Sequence, residues 1–230
     1  MKVRDITEAR VTPDQEFMAE LEAGVDEALD EYAEYLQDND DVDNIDELAS
    51  LLEASVDEDL RMQFVVNDDV PKSDMWMYAE ALTGEDEDGK RVTDIVIYLN
   101  EKNLVGVYGP KTFKKILMRL VSHELVHKSQ HSRINDIDRM ASGYQKAAGA
   151  KNSREWKRKY LRDPHEIQAY GETLAQEIAD TENPQATIRN PESYMDSLPT
   201  YASFRDIFPR NSKQIRALLK YTADYLSDYA

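Results

Sequence analysis

The most specific chemistry in this chain lies in the run HELVH, where His123, Glu124 and His127 stand at a fixed spacing. On a helix, residues four apart lie nearly above one another, so His123 and His127 can present both imidazoles to one ion. Zinc (Zn2+) suits such neutral nitrogen ligands at tetrahedral geometry. Glu124 projects beside them as a general base towards a metal-activated water, because the ion lowers that water's pKa and can polarise a scissile carbonyl. The spacing is therefore what metal-assisted hydrolysis of a peptide bond needs. The plain alternative is a pair of satisfied core histidines, but two at this spacing around a glutamate are hard to explain by packing.

Such a site needs a third protein ligand and one open position. The chain holds only two further histidines, His131 and His165. An unbroken helix carries His131 about 12 Å beyond His123, and Lys128-Ser129-Gln130 contains no glycine to turn it back. His131 is thus expected on the helix surface. The stronger candidate is Glu166, in DPHEIQAYGETLA (Asp163–Ala175), with His165 as the fallback. Ala169 on the same face would let that helix approach closely. The competing role for Glu166 is a capping box with Asp163 at the N-cap. Transition-state stabilisation calls for a Tyr, His or Arg facing the metal, and Tyr160, His165 and Tyr170 are the candidates.

HELVH, a strand-like segment before it (Asp94–Leu99), and a later helix entered by Glu166-x-x-Ala169 resemble the zincin metallopeptidases of the gluzincin type. DPHEIQAY also resembles small phage-encoded HExxH proteins. The likeness covers roughly residues 60–180. It implies an α+β fold with a small mixed or antiparallel sheet on the HExxH helix, and a peptide bound in extended form along an edge strand, expected at Val92–Leu99. Many gluzincins carry an Asp four residues after the ligand Glu to orient a zinc-bound histidine. Here that residue is Tyr170, so the orienting groups must differ, with Asp136, Asp138 and Asp163 as substitutes.

The elements that must position these residues are legible around them. Asp14 to Gln37 reads as a helix with Phe17, Leu21, Val25, Leu29, Tyr32 and Leu36 on one face, followed by an acidic loop (Asp38–Asp46) and a helix over Ile45–Ala54. The loop lacks the glycine and glutamate of an EF-hand. Residues 61–66, 75–82 and 91–99 read as strands, with a hairpin loop at Gly84–Gly89. Helical periodicity begins after Pro110 and puts Phe113, Ile116, Leu117 and Leu120 on one stripe with the histidines. A basic helix or linker (Lys151–Arg162) precedes a helix opened by Asp163-Pro164 and running to about Asp180. Two Pro-punctuated segments and a terminal helix (Asn211–Ser227) complete the order. The organisation expected is an acidic helical region (1–58), a zincin-like core (59–182) and a helical extension (183–230).

Composition bounds the rest. At 230 residues the chain suits one compact domain, with room for an extra lobe. Its lack of cysteine removes disulfides, thiolate ligands and a Cys nucleophile. No apolar run approaches a bilayer-spanning length, and Met1–Glu16 lacks the core of a signal peptide. The expectation is a cytoplasmic protein, in host cytoplasm or a virion if phage-encoded, that does not bind membranes. The net charge of −18 argues against direct nucleic-acid binding. That charge is uneven: residues 1–90 hold 29 Asp and Glu against 6 Lys and Arg, and the remainder holds 17 against 22. The acidic region reads as a solvated helix surface, as a lobe folded back over the basic one, as a pro-segment, or as a nucleic-acid mimic towards a basic protein partner. The function expected is a zinc peptidase acting on a protein or peptide, with a non-catalytic interaction or virion protein as the alternative.

Overall fold

The computed structural model describes residues 15–39, 44–56, 61–66, 77–85, 88, 91–99, 109–133, 147, 149–189, 195–227 and 229. It is a mostly helical α+β fold with a small mixed sheet. Helix α1 (Gln15–Asp38) buries Leu21, Val25, Ala28, Leu29 and Tyr32, one stripe at helical spacing. Asn44 caps α2 (Ile45–Ser55) by accepting from the backbone N–H groups of Asp46 and Glu47. A Cβ on Gly24 would overlap the Ser55 carbonyl oxygen, so glycine is what lets α1 lie against the end of α2.

Strands β1 (Met62–Val66), β2 (Met77–Glu85) and β3 (Arg91–Leu99) form a sheet in the order β1-β3-β2. β1 runs parallel to β3 with Met62 opposite Ile95, and β2 runs antiparallel with Ala81 opposite Ile95. The expected hairpin loop is shortened: Gly84 pairs within β2, and parts of the remainder lie outside the described residues.

One expectation is corrected here. Val92–Leu99 belongs to the central strand, paired on both sides, so it cannot receive an extended peptide. Its burial explains why: Ile95, Val96, Ile97 and Leu99 are all inside, as befits a strand covered on both faces. The edges are β1 and β2, and a glutamate meets each. Glu53 of α2 accepts from Phe64 N–H on β1 at 3.1 Å, and Glu124 accepts from Ala81 N–H on β2 at 2.9 Å.

Helix α3 (Pro110–Arg133) follows Gly109, whose φ of +72° suits glycine, and buries Phe113, Leu117 and Val121 against the sheet and α1–α2. Lys114 of α3 pairs with Glu22 and Asp26, so two of the acidic groups on α1 are balanced by a lysine of α3. After α3 come α4 (Ser153–Tyr160), α5 (Pro164–Ala179), α6 (Pro184–Arg189), a 3-10 turn (Met195–Ser197), α7 (Pro199–Ile207) and α8 (Lys213–Leu226). Leu161, Ile167, Leu174 and Ile178 share a second core with Leu198, Tyr201, Phe204, Ile215 and Leu218. α7 has no side-chain cap of its own; Glu177 of α5 supplies one, accepting from Thr200 N–H and hydroxyl. Among the described residues no helix is long and apolar enough to cross a membrane.

Candidate metal centre

The apolar stripe that docks α3 on the sheet becomes polar in its second half, where Ser122, His123, Glu124, His127 and Gln130 are all buried. Asp163 N-caps α5 and Pro164 opens it, which sets the first turn of α5 beside this polar half. Ala169 packs with Val126 where α3 and α5 meet, the small residue permitting the close approach. Glu166 thereby enters the site with 3% of its surface exposed.

The capping-box role of Glu166 does not form. Asp163 accepts from His165 N–H, but the Asp163 N–H donates to the Tyr160 carbonyl rather than to Glu166. Instead, Glu166 Oε2 faces His127 Nε2 at 3.5 Å and His123 Nε2 at 3.8 Å, and the two Nε2 atoms are 3.2 Å apart. This Oε2 is buried and makes no hydrogen bond, an arrangement that is costly unless something else engages it. The point equidistant from the three atoms lies ~2.0 Å from each, the length of a zinc–nitrogen or zinc–oxygen bond. His123, His127 and Glu166 can therefore hold one metal ion.

The tautomers agree with that geometry. Thr173 donates its hydroxyl to the Ala169 carbonyl at 3.3 Å, so its oxygen accepts from His123 Nδ1–H at 3.2 Å. His127 Nδ1 meets Gln130 Oε1 at 2.9 Å. Both rings thus present Nε2, rather than Nδ1, to Glu166, where a metal ion would meet it.

Charge follows from burial and neighbours. Burial works to lower the His127 imidazole, but the Glu166 carboxylate beside it outweighs this and lifts it to about 9. Burial would raise Glu166, yet the two imidazoles hold it well below the usual carboxylate range. Burial pushes Glu124 up, with the two imidazoles and the Ala81 N–H drawing it back. A carboxylate raised towards neutrality is a better proton acceptor.

Of the three stabiliser candidates, Tyr170 packs its ring edge-on against His123, with centroids 4.6 Å apart. Tyr160 stands edge-on to Tyr170. Burial, reinforced by nearby carboxylates, raises both phenols, so each keeps a proton to donate. His165 is not one of the three converging ligands and joins the site through its backbone carbonyl, which accepts from Gln130. The Nδ1 atoms of His123 and His127 meet Thr173 and Gln130. Asp163 serves as a helix cap, while Asp136, Asp138 and the side chain of His131 lie outside the described residues.

Sequence reasoning missed Thr173, Gln130, Gln168 and the Ser122–Glu172 hydrogen bond at 2.7 Å that ties α3 to α5. A signal existed for two of them. Thr173 lies two helical turns after Glu166, and Gln130 one turn after His127, each therefore on the ligand's own face.

A buried His-His-Glu group with a glutamate against an edge strand is what fold and site together define. Comparison with protein-family models, curated proteins and solved structures returns no match to this chain.

Proposed function

We propose that the chain is a zinc-dependent peptidase of zincin-like, gluzincin type, in which His123, His127 and Glu166 hold the ion and Glu124 is the general base. The observation that carries this reading is the convergence of three ligand atoms on one point, with Glu124 fixed beside them by the backbone of β2. Zinc would supply a Lewis acid and a water of lowered pKa. The chain's own residues do the rest. Glu124 takes the proton of the attacking water and hands it to the leaving amine. The substrate is a protein or peptide lying along β2. Ala81 N–H points out of the sheet towards Glu124, and strand periodicity gives Ala79 and Thr83 the same outward direction for pairing an extended chain. The Tyr170 hydroxyl, kept protonated by burial, donates to the developing oxyanion.

E124Q tests this. Glutamine can still accept from Ala81 N–H, so fold and zinc content should persist while cleavage falls by about 10²–10⁴-fold. Unchanged cleavage would refute the mechanism. The second reading, a non-catalytic fold with structural zinc, draws support from the burial of all four residues, none more than 9% exposed. It predicts about one zinc per chain and no cleavage by the wild type.

A further inference from the structure

Gln130 occupies the place where a carboxylate commonly orients a metal-binding histidine, and its surroundings leave its amide only one orientation. Its Nε2 lies 3.3 Å from the His165 carbonyl oxygen and 2.9 Å from Gln168 Oε1. A backbone carbonyl can only accept, so the nitrogen of Gln130 must face it. The oxygen of Gln130 is thereby directed at His127 Nδ1, which must carry the proton. Gln168 repeats the arrangement: its oxygen accepts from Gln130, and its Nε2 faces the Tyr225 hydroxyl of α8 at 3.4 Å. Gln130, Gln168 and Tyr225 are 6%, 1% and 1% exposed, so water is poorly placed to substitute for any of them.

We infer that Gln130 is a positioning residue for the metal centre, locking His127 in the Nδ1–H tautomer through a relay of neutral amides anchored on the α5 backbone and on α8. The inference rests on the zinc reading above and extends it. Because the lock runs through His165 and Gln168, His127 is prepared as a ligand only when α5 is docked, the same docking that delivers Glu166. The ligand set therefore assembles as a unit. A neutral amide also draws less on the Nδ1 proton than a carboxylate would, leaving the imidazole a weaker donor and the ion a stronger Lewis acid.

Two measurements on the full chain test this with zinc alone as the probe. Chelator competition should give Q130M a zinc affinity about 10–100-fold below wild type, with H127A losing the site altogether. In zinc-loaded, 15N-labelled wild type, the His127 ring proton should reside on Nδ1 and resist exchange, and in Q130M that protection should vanish. Wild-type affinity in Q130M, with the protected proton retained, would overturn the inference while leaving the zinc site standing. No zinc bound by the wild type would overturn both. Should Q130M fail to fold, the spectrum of the zinc-free wild type, recorded where His127 is neutral, decides alone: a His127 proton on Nε2 would refute the lock, and a protected one on Nδ1 would support it.

Discussion

Gly171 sits on α5 between Glu166, the proposed third ligand, and Thr173, and α8 passes directly over it. A Cβ at this position would stand 2.5 Å from the Tyr221 Cβ, 3.2 Å from Thr222 N and 3.3 Å from the Tyr221 carbonyl carbon. The first is the root of a side chain and the other two are backbone, so no rotamer change relieves them. α8 would have to retreat by about 1 Å to restore ordinary contact, and overpacking of this kind costs about 1–3 kcal/mol. Alanine in a helix interior returns about 1 kcal/mol of backbone entropy, so G171A should lose up to about 2 kcal/mol net. For a chain of this size the full 2 kcal/mol is a fall in Tm of about 4–8 °C. The retreat also draws Tyr225 from Gln168, whose contact is already 3.4 Å, so zinc affinity should fall severalfold as well. Thermal denaturation and chelator competition on the same preparation read both effects. G24A supplies the control: it crowds the Ser55 carbonyl in the other core and should lower Tm without changing zinc affinity. A G171A protein more stable than wild type would refute the packing argument, and one destabilised with unaltered zinc affinity would refute the coupling of α8 to the site.

Three more outcomes are open to test. E166Q keeps the shape of the proposed third ligand but removes its charge; bound zinc measured after dialysis should drop sharply, and full retention would exclude Glu166 from the site. Y170F preserves the ring against His123 and deletes only the hydroxyl, so zinc content should hold while kcat falls about 10²–10³-fold; an unchanged kcat removes Tyr170 from the mechanism. Burial, partly offset by the Thr200 donors, raises the Glu177 carboxyl. A carboxyl raised in the folded state holds its proton more tightly there than in the unfolded chain, so wild type loses stability as pH climbs from 4.5 through the folded value. E177Q still accepts from Thr200 and escapes that loss, so its Tm relative to wild type should rise from about pH 4 to about pH 7; a constant difference would count against a perturbed Glu177.

Local pattern determined a good deal of this protein. Period-3.6 stripes placed α1, α5 and the start of α3 to within a residue or two, because an amphipathic helix repeats its core-facing residue types along one face. Asp163-Pro164 announced the start of α5, since a cap and a preset φ act within a single turn. His123, Glu124 and His127 were legible for the same reason, their geometry being internal to one helix. Strand order was not. Val92–Leu99 reads as a strand from its own residues, but whether a strand is central or at an edge depends on what pairs with it, and β1 reaches it from 33 residues away in sequence. The role of Glu166 was equally undecidable, because a cap and a ligand want the same residue at the same place. The Tyr160 carbonyl took the Asp163 N–H, and α5 docked at Ala169 turned the carboxylate towards the imidazoles. The orienting groups came entirely from tertiary structure. Any polar side chain can hold an Nδ1 proton, so which one does is settled by the helix that packs alongside, and here that brought Thr173 from α5 and fixed Gln130 through the His165 carbonyl.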